Sequence, residues 1–285
     1  VRPPRELRPP VVRRFRDAAP GGHTVWFVHP GALAPTVYRA LAGALPEGDG
    51  LTVLDLGAVP EYAEAALTGG RAATTVAGLA ERLLAAMDPQ PDPYTLAGWS
   101  FGGVLAVAMA DALPAERRPA RLVLLDSIAP TEEYKQPDDA LEPGLLLDWF
   151  SMYLGAKRGR PVRLAPGALD GRSVDEGLPV VLDAAVASGA LLPDTPLPGL
   201  RKLYDTYVDG LLRNNRLTAP HRATPAPLPV VLVKAERSLI PGDDTLGWLP
   251  LAPHGLTVHR CPGDHYTMLD HPDAVDTIAR LLRGA

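Results

Sequence analysis

An α/β fold built on a mostly parallel sheet is what this sequence predicts, and three observations predict it. Short, continuously apolar runs bounded by turn residues recur along the chain. Segments of helical period separate them. A long stretch without strand character interrupts the alternation, which resumes near the C-terminus. Continuously apolar strands are those buried on both faces, as in a parallel sheet with helices on either side.

The elements follow in order. Residues 1–22 hold Pro3, Pro4, Pro9, Pro10, Pro20, Gly21 and Gly22 without a periodic apolar face. They read as a Pro-rich linker, as if the chain had been cut from something longer. TVWFVHPG, from Thr24, is a buried strand ending in a turn. A helix is expected over 36–45 and a strand over 51–56. Val76, Leu79, Ala80, Leu83 and Leu84 lie at helical spacing within 74–87. YTLAGWS (94–100) is a third strand, followed by a helix to about Leu113, and RLVLLD (121–126) is a fourth. Residues 127–218 then show no strand. Helices are expected near 145–154, 174–188 and 200–213. Strands return at 228–236 and 256–261, before a helix over 272–282. The domain therefore spans 23–285 and carries a helical insertion at about 131–222. Insertions of this kind often act as lids.

Composition narrows the function. The 285 residues are 46% hydrophobic and 21% charged, values of a soluble globular chain with one sizeable core. A net charge of −5 gives no basic surface for nucleic acid or a membrane. Cys261 is the single cysteine, which excludes an intramolecular disulfide framework and a paired-cysteine zinc site. No apolar run reaches the roughly 18 residues of a membrane span, and the basic start has no apolar stretch behind it. A cytoplasmic protein is expected. Neither HExxH nor GxxxxGK[ST] occurs, so no metal or nucleotide role is indicated.

Gly98-Trp99-Ser100-Phe101-Gly102-Gly103 matches GxSxG between a strand and a helix. In that context the serine occupies a strained strand-to-helix turn that exposes its hydroxyl, and the flanking glycines make room for the turn. The N–H of Phe101 then faces a developing oxyanion near the positive end of the helix. A serine nucleophile needs a base. His265, after the last strand, stands where the chain order Ser…acid…His puts it. His271 precedes Pro272 and reads as a cap or surface group. His29 lies near the site mouth, and His23, His221, His254 and His259 have no such placement. An acid must orient the imidazole. Asp126 and Glu236 both end strands, Asp243 and Asp244 follow on a loop, and Asp264 beside His265 reads as structural. The second oxyanion donor belongs to the loop after the first core strand. Pro30 has no N–H, which leaves Gly31 or Ala32.

GWSFGG, LLDSIAP (124–130), GDHYTML (263–269) and YDTYVDGLLRNNRLTAPHR (204–222) together resemble the thioesterase domains that terminate nonribosomal peptide synthetases and polyketide synthases. The resemblance covers about residues 24–283. It implies an α/β-hydrolase fold with a mobile helical lid, Ser100 as nucleophile, His265 as base and Asp126 as acid. It departs at His29-Pro30-Gly31, where many members are less polar. It also implies an upstream peptidyl or acyl carrier domain as partner. The substrate, a peptide or polyketide thioester, arrives on that carrier's phosphopantetheine arm, and no cofactor is expected. The expected reaction is release through a Ser100 acyl-enzyme by hydrolysis or macrocyclisation. The alternative is a free-standing editing thioesterase or a small-ester hydrolase of the same fold. Editing enzymes of this fold commonly keep their acid after a later strand, which makes Glu236 the discriminating residue. The aromatic residues of the insertion, Trp149, Phe150, Tyr153, Tyr204 and Tyr207, either line a product pocket or pack its helices.

Overall fold

The computed structural model describes residues 10–67, 74–87 and 93–284. Its strands are β1 (Val12–Arg16), β2 (Thr24–His29), β3 (Gly50–Asp55), β4 (Tyr94–Trp99), β5 (Arg121–Leu125), β6 (Val230–Arg237) and β7 (Leu256–Asp264). They form one sheet in the order β1-β3-β2-β4-β5-β6-β7. Among the described residues only β1 runs antiparallel, paired with β3. The remaining pairs are parallel, from β2–β3 through to β6–β7. The helices are α1 (Tyr38–Ala44), α2 (Pro60–Leu67), α3 (Val76–Leu84), α4 (Phe101–Ala112), α5 (Pro143–Arg158), α6 (Val174–Ala187), α7 (Leu197–Thr218) and α8 (Pro272–Arg283).

Successive strand residues feed two apolar layers. Val25, Phe27, Ala97, Trp99, Val123 and Leu125 pack beneath α1 and α8. Trp26, Val28, Leu96, Leu122 and Leu124 pack beneath α3 and α4. Burial on both faces is why these strands read as unbroken apolar runs. The chain leaves β2 toward β3 on one side and later passes to β4 on the other. The crevice beyond the C-terminal ends of β2 and β4 is therefore a topological switch point, where sites of open α/β sheets form.

One expectation changes. The linker over 1–22 contains β1, and residues 1–9 lie outside the described residues. Three arginines hide this strand in the sequence. Arg13 Nε lies 2.8 Å from Asp55 Oδ2. Arg16 donates to the carbonyls of Ala42, Leu45 and Asp49 at 2.7, 3.0 and 2.7 Å. Phe15 packs on Tyr38, 6.1 Å between ring centroids. A short, arginine-rich edge strand keeps its outer rim solvated and unattractive to further pairing. Helix α2 is a further element that the sequence pattern does not predict.

Between β5 and β6 the chain forms α5, α6 and α7. Pro143 opens α5 at its first turn. Ser173 and Glu176 form a reciprocal capping box at the start of α6. The apolar faces of α5, α6 and α7 join the layer that holds α1 and α8.

The β4–α4 turn depends on atoms that are not there. A Cβ on Gly98 would fall under 3.0 Å from the Gly102 backbone, one on Gly102 under 3.0 Å from the Val28 carbonyl, and one on Gly103 under 3.0 Å from the Ser127 side chain. These glycines let α4 lie directly against β2 and β5. Gly102→Ala sets a methyl against backbone that cannot swing away. It should destabilise the fold by roughly 3 kcal/mol, read by chemical denaturation.

Candidate active site

Ser100 stands between β4 and α4 with φ 54° and ψ −127°, a conformation that non-glycine residues rarely adopt. Its N–H donates to the Leu125 carbonyl at 2.9 Å, and its own carbonyl accepts from Gly103 at 2.9 Å. The strained backbone is thus held from both sides, and the side chain is left to point out of the turn.

His265 comes from the loop after β7. Its N–H donates to the Arg237 carbonyl at 3.1 Å. Its carbonyl accepts the Trp99 indole N–H at 3.0 Å. The ring meets Tyr266 edge-on, 4.7 Å between centroids. Its Nε2 lies 3.0 Å from Ser100 Oγ, and its Nδ1 lies 2.7 Å from Asp126 Oδ2. An ionised carboxylate only accepts, so the proton belongs on Nδ1 and Nε2 is free to accept the serine proton. Asp264, as expected, serves the turn: its Oδ1 accepts the N–H groups of Tyr266 and Thr267 at 2.9 and 3.0 Å.

Asp126 follows β5 and also has positive φ, 41°. Its N–H donates to the Val233 carbonyl at 2.8 Å. Its Oδ1 accepts the Ala235 N–H at 3.1 Å, which aims Oδ2 at the imidazole. Both Asp126 and His265 are buried. Glu236 is exposed on β6 and takes no part in this chain of hydrogen bonds. Asp243 is occupied with Tyr134, Thr245 and Gly247. Asp244 is paired with Arg260.

The two backbone segments expected to hold oxyanion donors both border Ser100. Phe101 opens α4, where a first-turn N–H has no intrahelical acceptor. Gly31 and Ala32 share a cavity of about 190 Å³ with Ser100 and His265. Gly31 has φ 86°, which suits glycine in this turn. His29 lies behind the loop rather than at its mouth. It is buried, its Nε2 lies 2.7 Å from the Leu33 carbonyl, and its Nδ1 lies 3.3 Å from the Tyr38 hydroxyl. His29 therefore ties the ends of the loop together. His271 occupies the N-cap position of α8 without a side-chain cap bond. His254 is exposed, and His23 bonds Thr95 Oγ1. Burial pushes the Cys261 thiol up to about 12, so it offers no competing nucleophile. Among the described residues no group of side chains is suited to a metal ion, and no helix is long and apolar enough to cross a membrane.

The model of the thioesterase domain family matches residues 23–284. The chain belongs to that family. The thioesterase domain is 28% identical over 237 residues to a chondramide synthase of Chondromyces crocatus, covering 79% of this chain and 6% of that protein. A four-domain nonribosomal peptide synthetase, holo-AB3403 bound to AMP and glycine, shares 27% identity and superposes with a TM-score of 0.65, over 98% of this chain and 20% of that one. The thioesterase domain of NocB, from the nocardicin cluster, shares the fold at 24% identity and a TM-score of 0.54, over 96% of this chain and 99% of its own. This chain thus spans a small part of the first two relatives.

A second cavity in the thioesterase domain, about 410 Å³, also reaches Ser100. Phe101, Val104, Ile128, Leu145, Trp149 and Leu239 make much of its wall apolar. Leu211 and Asn214 of α7 border both cavities and divide them above the serine. The aromatic residues of the insertion divide between packing its helices and lining cavities. Phe150 and Tyr204 pack the helices together, edge to face at 5.3 Å. Trp149 lines the larger cavity, and Tyr153 and Tyr207 line the smaller. Sequence reasoning missed Leu211, Arg213 and Asn214 as site residues, although they lie inside a quoted motif. A larger cleft, about 790 Å³, between the start of α5 and residues 164–173 contains none of the three relay residues.

Burial holds His29 below the ordinary imidazole value of 6.5. As pH falls through that value, the unfolded chain takes up a proton that the folded state binds less readily, so stability is lost on acidification. Tm should drop between about pH 7.5 and about pH 5.5, and the drop should shrink in His29→Gln. His23 and His221 are shifted the same way and keep part of it.

Proposed function

We propose that this thioesterase domain is a terminal one, which releases a carrier-bound peptide or polyketide through an acyl-enzyme on Ser100. The unbroken chain from Ser100 Oγ through His265 to Asp126 Oδ2, in a chain of this family, carries the reading. As Oγ attacks the thioester carbonyl, its proton passes to His265 Nε2. Asp126 holds the tautomer and balances the imidazolium. The oxyanion accepts from the N–H of Phe101 and from that of Gly31 or Ala32, each donor lowering the barrier by on the order of 3 kcal/mol. The C–S bond then breaks and the thiol leaves with the proton from His265. In the second half, water or an amine or hydroxyl of the chain itself gives its proton to His265 and attacks the ester. The ester bond breaks, Oγ regains the proton, and a free acid or a ring departs.

The relatives that are synthetases support a carrier domain as partner, with the substrate on its phosphopantetheine arm. We place the reaction in the cytoplasm. None of these steps uses a cofactor. In this reading the apolar cavity accommodates the acyl chain. Helices α5 to α7 act as the lid that keeps bulk water from the acyl-enzyme.

Ser100→Ala should abolish both fluorophosphonate labelling and turnover of acyl-thioester mimics; a labelled, active variant would end this reading. Asp126→Asn should lower kcat by on the order of 10³–10⁴-fold, with Glu236→Gln near wild type. A collapse confined to the Glu236 variant would instead favour a free-standing editing enzyme. Mass analysis of products separates gain of water from ring closure.

A further inference from the structure

We infer that Arg213, on the inner side of α7, recognises a carboxylate next to the reacting carbonyl; this deepens the proposed function and rests on it. Arg213 lines the 190 Å³ cavity together with Ser100, His265, Gly31 and Ala32. Among the described residues no Asp, Glu or Lys lines that cavity, and this guanidinium is the one permanent charge there. The cavity is small, and a group held there is a close neighbour of whatever Ser100 carries.

The guanidinium is pre-set for a ligand. Its carbon lies 3.9 Å from the centroid of the Tyr62 ring. Tyr62 is fixed in turn, its hydroxyl donating to Asn214 Oδ1 at 2.6 Å. Stacking holds the plane of an arginine, and one of its donors also reaches the Tyr62 hydroxyl, while Nε is left over. Other arginines of α7 are satisfied by carboxylates: Arg201 by Asp175 and Asp205, Arg216 by Asp138. Among the described residues Arg213 has no carboxylate partner, and its Nε is buried without an acceptor. A buried donor without an acceptor is costly. A planar carboxylate is the group that a guanidinium edge fits best. The carboxylate has two possible sources. It belongs to the acyl chain, as an acidic side chain beside the thioester, or it is the one that hydrolysis creates.

The test uses two N-acetylcysteamine thioesters that differ only in a glutamyl or glutaminyl side chain on the residue bearing the thioester. The wild type should show a KM about tenfold or more lower for the glutamyl form. In Arg213→Met that ratio should fall to about one, and Arg213→Lys should restore part of it. Equal KM values, with the product acid of the glutaminyl substrate inhibiting the wild type at least about tenfold more strongly than Arg213→Met, would identify the carboxylate as the product's own. No discrimination in either assay, or discrimination that Arg213→Met leaves intact, overturns the inference. Calorimetry of the glutamyl and glutaminyl acids on Ser100→Ala protein reads the same preference without turnover. A failure of Ser100 chemistry therefore stays separate from a failure of Arg213 recognition.

Discussion

Contact of backbone on backbone at the β4–α4 turn is the constraint on which the rest of the site depends. Helix α4 lies so close that Gly98 has no room for a side chain against the backbone of Gly102, Gly102 none against the Val28 carbonyl of β2, and Gly103 none against Ser127. That approach forces Ser100 into its unusual conformation, and the bond from its N–H to Leu125 holds it there. A looser turn would relax the serine and move its hydroxyl out of line with His265. The strain is borne by the apolar layers on either side of the sheet, which are deep enough to hold it.

The partners of the serine are positioned by the sheet as much as by their own loops. Asp126 reaches sideways to β6 with both its N–H and its Oδ1. His265 is bound to β6 through Arg237 and to β4 through the Trp99 indole. Neighbouring strands therefore set the spacing of acid, base and hydroxyl by hydrogen bonds between rigid elements. The loop after β2 is secured from behind by His29, whose buried, proton-poor ring spans to Leu33. Polar side chains that look alike in the sequence take different roles because each faces a different depth of the crevice.

The helical insertion gives this shared frame its individual chemistry. Helix α7 crosses above the serine and divides the space into an apolar cavity and a smaller one with a larger polar share. It is tied to the sheet domain by Tyr207 to Tyr266, hydroxyl to hydroxyl at 2.7 Å, and by Asn214 to Tyr62. The divider and its ties shape the space on either side of Ser100.

The parallel sheet, the strand-to-helix turn at Ser100 and the late-loop histidine are legible in the residues alone. These rest on local rules: continuous apolar runs, glycine spacing and chain order. Strand β1 escaped because its apolar residues are interleaved with arginines whose partners, Asp55 and the carbonyls of 42–49, lie far along the chain. Asp126 and Glu236 both end strands, and the family resemblance favours Asp126; the structure turns Asp126 toward His265 and leaves Glu236 exposed. The tertiary structure likewise places Arg213. Helical spacing put it on α7, but whether that face meets water, a carboxylate or the serine's cavity depends on how α7 lies across the sheet, and that angle is set by packing between residues distant in sequence.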